Sequence, residues 1–334
     1  MIITRTPFRM SFVGGGTDFP DFYREHGGAV ISTTFDKYCY VDVRHIPPFF
    51  DYSNEIIYSK TERVKSPEEV IHPAVREAMK WFDMHDLRVA YDADLPARTG
   101  LGTSSSFAVG MLNAFYALKS KRVTREQLAL DAIYLERELC REHGGVQDQI
   151  AAAFGGFNRI DFDAEGFHVN PLKISNIRKS ELENNLLLFF TGFSRFSSDI
   201  QSAHQSALKS RTTQLLEMKT LVDETEKILV SEAPMAEFGR ILDYTWKLKR
   251  GITDKVSTGT IDELYSKAVS AGATGGKLLG AGGGGFLLFY VEDDHKNDLR
   301  KALGGLMEVP FKFEDTGTDI LYCAPESYTK GREL

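Results

Sequence analysis

Apolar and polar positions alternate along three stretches of the first half of the chain. Residues 30–46 (VISTTFDKYCYVDVRHI), 87–95 (LRVAYDADL) and 156–162 (GFNRIDF) are rich in β-branched and aromatic residues and predict strands. Between them, 67–82 and 105–118 repeat apolar residues three and four apart, and 124–142 opens on a threonine suited to capping, so all three predict helices. The first half therefore reads as a mixed α+β domain. After a polar stretch, 163–185, the run LLLFFTG (186–192) predicts a buried strand, and 199–230 a long helix. Further helices are expected at 236–250 and 260–271. A glycine-rich segment follows, then the strand FLLFYV, another helix and a last strand near 311–313. Placing the boundary in the polar stretch divides the chain into 1–175 and 176–334.

Composition narrows the class. A chain of 334 residues exceeds the size at which single cores stop growing, which favours two domains. Forty Lys and Arg against 47 Asp and Glu give a net charge of -7, with no basic run able to track a phosphodiester backbone. Nucleic acid is thereby excluded as the expected partner, and small molecules become the default. Three widely spaced cysteines, Cys39, Cys140 and Cys323, fit reduced thiols and a cytoplasmic protein. No run reaches the length of a membrane span, no signal peptide is evident, and the histidines lack zinc-binding spacing.

Three segments carry candidate chemistry. In FVGGGTDFP, 12–20, the bare backbone of Gly14, Gly15 and Gly16 precedes Thr17 and Asp18; it either lets a ligand approach or makes a tight turn that Asp18 caps. In LPARTGLGTSSSFAVGMLNAFYAL, 95–118, a glycine-containing loop runs into Thr103, Ser104, Ser105 and Ser106 and then an amphipathic helix. Backbone N–H groups at that positive helix end attract phosphate, and a hydroxyl there suits a phosphate-held Mg²⁺; the plainer alternative is a well-capped helix. In ERELCREHGGVQDQIAAAFGG, 136–156, Glu136 and Asp148 flank a glycine break, offering a metal ligand and a group to orient an attacking hydroxyl. A solvated helix face is the alternative there. The glycine-rich GGKLLGAGGGGFLLFY, 275–290, matches G-x-G-x-x-G only formally, because it follows a helical pattern and opens a strand, opposite to a dinucleotide fold. What remains for it is a bare loop that admits a substrate or another loop.

In this order the segments resemble the GHMP kinases, the superfamily of galactokinase, homoserine kinase, mevalonate kinase and phosphomevalonate kinase. The galactokinase pattern A-P-G-R-x-N-L-I-G-E-H-T-D-Y aligns without a gap on 6–19, P-x-x-x-G-L-G-S-S-A-A on 96–106, and the third motif on 277–285. The resemblance implies a two-domain α+β fold, with a first domain like the second domain of ribosomal protein S5 and a ferredoxin-like second domain, ATP and substrate lying between them. It implies that Pro96, Gly100, Leu101, Gly102, Thr103, Ser104 and Ser105 surround the nucleotide phosphates and that Ser104 and Glu136 hold Mg²⁺. It also implies that Asp148 is the base with Arg9 as its charge partner. The sugar is expected at Gly15, Gly16, Thr17 and Asp18, with Gly283 and Gly284 opposite. Galactokinases carry Glu and His where this chain has Gly15 and Gly16, so part of the hexose recognition is missing.

Within the superfamily TPFRMSFVGGGTDFPDF, 6–22, the 136–158 block and TGFSR, 191–195, are similar to the D-glycero-D-manno-heptose 7-phosphate kinase type. That type phosphorylates the anomeric hydroxyl, giving the 1,7-bisphosphate that leads toward GDP-heptose. Fucokinases share much of the pattern and supply the alternative, a kinase of an unphosphorylated sugar. A non-catalytic sugar-binding module and a dinucleotide-dependent oxidoreductase are the rivals from other classes. Arg24, Arg98, Arg195, Lys247 and Arg250 are the candidates for holding a substrate phosphate.

Overall fold

The computed structural model describes residues 1–192, 211–252 and 256–324. In the first half the elements run β1 (Ile2–Val13), α1 (Pro20–His26), β2 (Gly28–His45), β3 (Asn54–Ile57), β4 (Thr61–Val64), α2 (Pro73–Trp81), β5 (Leu87–Ala93), α3 (Thr103–Leu118), α4 (Arg125–Tyr134), α5 (Gln147–Phe154), β6 (Phe157–Asp163) and β7 (Gly166–Pro171). There follow α6 (Asn176–Asn185), β8 (Leu186–Phe190), α7 (Thr212–Val230), α8 (Ala236–Arg250), α9 (Gly259–Ser270), β9 (Gly275–Leu278), β10 (Phe286–Tyr290), α10 (Asp293–Ala302), β11 (Met307–Glu308), β12 (Phe313–Glu314) and β13 (Asp319–Cys323). Residues 199–210 of the expected long helix, and Arg195, lie outside the described residues.

The 18-residue β2 is the spine of the first sheet. It pairs antiparallel with β1 along most of its length, then with β6 over its first third and β5 over its last. Strand order β13-β1-β2-β5-β3-β4 extends the sheet, with β6, β7 and β12 also joined to it. Helix α3 lies against β1 and β2 through Gly110, where an added Cβ would meet the Thr6 hydroxyl at 2.7 Å. Its buried face carries Phe107, Met111 and Phe115, the stripe read from the sequence. A second sheet, β11-β8-β10-β9, holds the other half.

Three local readings are corrected. The helix expected over 67–82 begins only at Pro73; a 3-10 turn spans Pro67–Glu69, and Val70 and His72 are extended. A residue before proline is pushed out of the α region, and Pro73 suits the first helical position, which needs no N–H. The polar stretch 163–185, for which no element was expected, forms β7 and α6. The glycine-rich segment follows a strand, β9, rather than the helix directly; since it still opens the strand β10, the exclusion of a dinucleotide fold holds. The division at 175/176 falls between β7 and α6, yet β12 and β13 return to the first sheet and complete its edge.

Candidate active site

Strand β1 fixes Arg9, a residue only 5% exposed, and the break before α5 places Asp148 in that helix's first turn. The two meet as a bidentate pair: Arg9 Nε donates to Asp148 Oδ1 at 2.7 Å and Nη2 to Oδ2 at 2.8 Å. Arg9 Nη1 also donates to the Gly100 carbonyl at 2.7 Å, and its backbone N–H to the Leu101 carbonyl at 3.1 Å. The loop before α3 is thus tied to the ion pair. A Cβ at Gly102 would lie 3.4 Å from both Arg9 and Asp148. Planar two-point pairing of this kind gives direction as well as attraction.

The start of α3 is open. Gly102 occupies the N-cap position in the left-handed conformation, and no side chain caps the helix. Its first N–H groups are therefore available to an anion. Thr103 instead accepts from the Arg98 backbone N–H at 3.3 Å, and Thr99 donates to the Pro96 carbonyl at 2.8 Å, which shapes the loop. The glycines of the third motif press directly on this loop: a Cβ at Gly100 would meet the Leu279 carbonyl oxygen at 2.4 Å, and one at Gly280 the Gly100 Cα at 2.1 Å. Of the two partners the sequence left open for that bare loop, it approaches another loop.

Behind α3 lies Glu136, 3% exposed, carried by a π-helical turn, Leu135–Leu139, that continues α4. It accepts from the Ser105 hydroxyl at 2.7 Å and from Gln149 Nε2. Burial, with Glu142 nearby, pushes its carboxyl up to about 7, against the opposing pull of Ser105, Gln149 and Ser104. Ser104 is exposed at the mouth of the loop. A hydroxyl and a single carboxylate, with the buried Gln149 Oε1 left without a partner, form an all-oxygen set. That set fits Mg²⁺, which takes one or two carboxylates and completes its shell with phosphate and water.

Asp18 is 2% exposed and closes the other side. Its Oδ1 accepts from the Gly16 N–H at 2.9 Å and its Oδ2 from the Gln147 N–H at 3.2 Å. Burial raises its pKa, and Asp148 adds to the rise. Gly145 has to be glycine, since its Cβ would stand 1.9 Å from Asp18 Oδ2. Gly15, Gly16 and Asp18 line a cleft of about 630 Å³, counting space open to solvent, together with Arg9, Asp148 and Gln147.

Some expected residues stand elsewhere. Thr17 is fully buried, its hydroxyl donating to the carbonyls of Gly14 and Ala29 and accepting from the Ala29 N–H, so it shapes the turn and has no hydroxyl left for a sugar. Gly283 faces Val256, to whose carbonyl it donates at 2.9 Å; from the third motif Gly280 and Ala281 reach the cleft, whereas Gly283 and Gly284 are not among its lining residues. Arg24 and Arg98 are exposed, Lys247 pairs with Asp243 and Arg250 with Asp262. The lysines that do line the cleft are Lys249 and Lys277, which the sequence reading passed over. Lys249 follows the buried Leu242 and Trp246 at helical spacing, and Lys277 sits in a strand whose four residues are all buried. A lysine on a buried stripe was the available signal.

Family models of the GHMP kinase N-terminal domain and C-terminal domain match residues 68–156 and 230–308. A D-glycero-alpha-D-manno-heptose 7-phosphate kinase of Campylobacter jejuni is 31% identical over 322 residues, spanning 90% of this chain and 93% of that protein. The chain belongs to the GHMP kinases. A bifunctional fucokinase/GDP-fucose pyrophosphorylase of Arabidopsis thaliana is 28% identical over 89% of this chain and 30% of its own length. Among solved structures, a D-glycero-D-manno-heptose 1-phosphate kinase from Bacteriodes thetaiotaomicron superposes with a TM-score of 0.76 at 26% identity, covering 98% of this chain and all of that one. The two-sheet architecture is therefore the two-domain GHMP kinase fold, and the chain is a sugar kinase of that family, a phosphotransferase with an alcohol acceptor. GHMP kinases use ATP as phosphate donor. No helix among the described residues is long and apolar enough to cross a membrane.

Proposed function

We propose that this GHMP kinase phosphorylates the anomeric hydroxyl of D-glycero-D-manno-heptose 7-phosphate, giving the 1,7-bisphosphate toward GDP-heptose. The observation that carries the reading is the Arg9–Asp148 pair, bound through Gly100 to the uncapped start of α3 and facing the cleft that Asp18 closes. The heptose assignment draws on the 31% identical relative. In this reading the loop 96–105 receives the nucleotide phosphates, and Ser104 and Glu136 hold Mg²⁺, which supplies charge neutralisation to the phosphates when bound. Asp148 keeps a lone pair on each oxygen beyond those used by Arg9, and takes up the hydroxyl proton of the acceptor. Arg9 holds that carboxylate in place and adds positive charge where negative charge develops. Asp18 accepts hydrogen bonds from ring hydroxyls, and the bare backbone of Gly15 and Gly16 leaves room for a heptose longer than a hexose.

The test is a panel of free and phosphorylated sugars assayed for ADP release, with the position of the new phosphate read by phosphorus NMR. Heptose 7-phosphate is expected to give the highest kcat/KM, with the new group on C1. Turnover of free fucose without turnover of heptose 7-phosphate would replace this reading with the fucokinase one. A heptose 1-phosphate acceptor modified elsewhere would overturn the regiochemistry.

A further inference from the structure

Lys249 and Lys277 line the cleft from two neighbouring elements, the last turn of α8 and strand β9. Lys277 is 3% exposed and its Nζ donates to the Phe12 carbonyl at 2.7 Å; Lys249 Nζ donates to the Gly280 carbonyl. Each ammonium has three donors, and among the described residues neither makes an ion pair. Arg9, the third cation of the cleft, is already matched by Asp148. Burial first, and then Arg9, lowers the Lys249 pKa to about 8 against the opposing pull of Asp18 and Asp148, and burial with Lys249 and Arg9 pushes Lys277 well below its ordinary value. Enclosing unmatched ammoniums is costly, so an anion that joins them relieves both desolvation and repulsion. The same cleft holds two buried polar atoms without partners, Ser11 Oγ and Gln147 Oε1. A Ser11 hydroxyl donates to an oxyanion directly, and Gln147 does so by turning its amide.

We propose that Lys249 and Lys277, with the Ser11 hydroxyl, form a phosphate subsite in the cleft, distinct from the nucleotide-receiving turn at the start of α3. Two sources share this chemistry: the phosphate ester of the acceptor and the phosphoryl group in transfer. Only the first rests on the sugar-phosphate kinase reading; the anion preference of the pair stands without it.

The experiment is calorimetric titration of inorganic phosphate into the full chain, into Lys249→Met and into Lys277→Met, with and without a saturating non-hydrolysable ATP analogue. Thermal melts establish that each variant is folded, and Lys249→Arg tests whether positive charge alone restores binding. Loss of a charge-assisted contact is expected to weaken phosphate binding about ten- to a hundredfold in each lysine variant. Binding that persists beside the analogue and is lost in the variants assigns the subsite to the acceptor's phosphate. Binding that the analogue displaces, and that the variants also lose, assigns it to the transferring group. Phosphate bound equally well by parent and variants, or not bound by the parent, overturns the proposal. Because the titration needs no turnover, a failure of the heptose reading in the ADP assay leaves it able to decide.

Discussion

At the residue scale, the proposed chemistry rests on a few carboxylates whose surroundings differ. Replacing Asp148 by Asn removes the group proposed to take the proton and leaves Arg9 facing an amide; kcat is expected to fall by about two to four orders of magnitude while ATP affinity, measured by equilibrium titration, changes little. Full turnover in that variant would remove Asp148 from the mechanism. Glu136 gives a pH signature. Its carboxyl is raised from 4.5 to about 7 in the fold, so the folded chain binds a proton that the unfolded chain releases. In the presence of a chelator, stability is then fully present below about pH 4.5 and is lost as pH rises through about 7, by about 3 kcal/mol. Urea midpoints across that window should fall in the parent and stay flatter in Glu136→Gln; parallel curves would show that this carboxyl is not the source. The glycine triplet separates into two cases. A side chain at Gly15 has its nearest neighbours at 3.6 and 3.7 Å, whereas Gly16 has φ 105, a region that resists any side chain. Gly15→Glu is therefore expected to fold and to raise KM for a phosphorylated sugar by crowding the cleft with like charge, and Gly16→His to lose stability for backbone reasons. An unchanged KM in folded Gly15→Glu would make Gly15 a turn residue only.

At the scale of elements, what the sequence made legible followed from period and capping. Thr124 was read as a cap and accepts from the Gln127 N–H at 3.1 Å, and the buried stripe of α3 was visible in its spacing. The short strand β9 was hidden because two of its four residues are glycines, which carry no period. The π turn that holds Glu136 inward leaves no mark on a 3.6-residue pattern, since it adds one residue locally. Lys249 and Lys277 were missed because lysine is expected at the surface. The contact of the two glycine loops was foreseen as one possibility, and its consequence is specific. Gly280 has φ 76, and its Cβ would reach the Gly100 backbone, which cannot swing aside as a side chain does. Gly280→Ala is expected to cost roughly 2 to 4 kcal/mol in urea unfolding and to weaken ATP binding, because the displaced loop is the one proposed to receive the phosphates. Unaltered stability and ATP affinity would show that the loops yield easily.

For the whole molecule, the order of the three motifs announced the fold, but not how the chain closes it. The last strand expected near 311–313 is the two-residue β12, and the strand that does come last, β13, is largely exposed and gives no buried alternating pattern; both lie in the first sheet beside β1 and β2. Between them residues 315–318 fold against the end of α5, the helix that starts with Gln147 and Asp148. The Thr318 N–H donates to the Ala152 carbonyl at 2.9 Å, Thr34 donates to the Glu314 carbonyl at 2.7 Å, and a Cβ at Gly155 would meet the Gly317 nitrogen at 2.0 Å. Residues 315–318 thereby brace the helix that carries the proposed catalytic carboxylate, and none of them lines the cleft. Gly317→Ala tests this bracing. Its Cβ would lie 2.3 Å from the Ala153 carbonyl oxygen, a backbone atom fixed by α5, so either the connection or the helix end must move. Overpacking of this kind costs typically about 1 to 3 kcal/mol. The expected result is a lower urea midpoint together with a lower kcat, since a small displacement of a positioned group is felt at the reacting atoms. A variant that loses stability but keeps kcat would show that the terminal strands close the sheet without steadying Asp148.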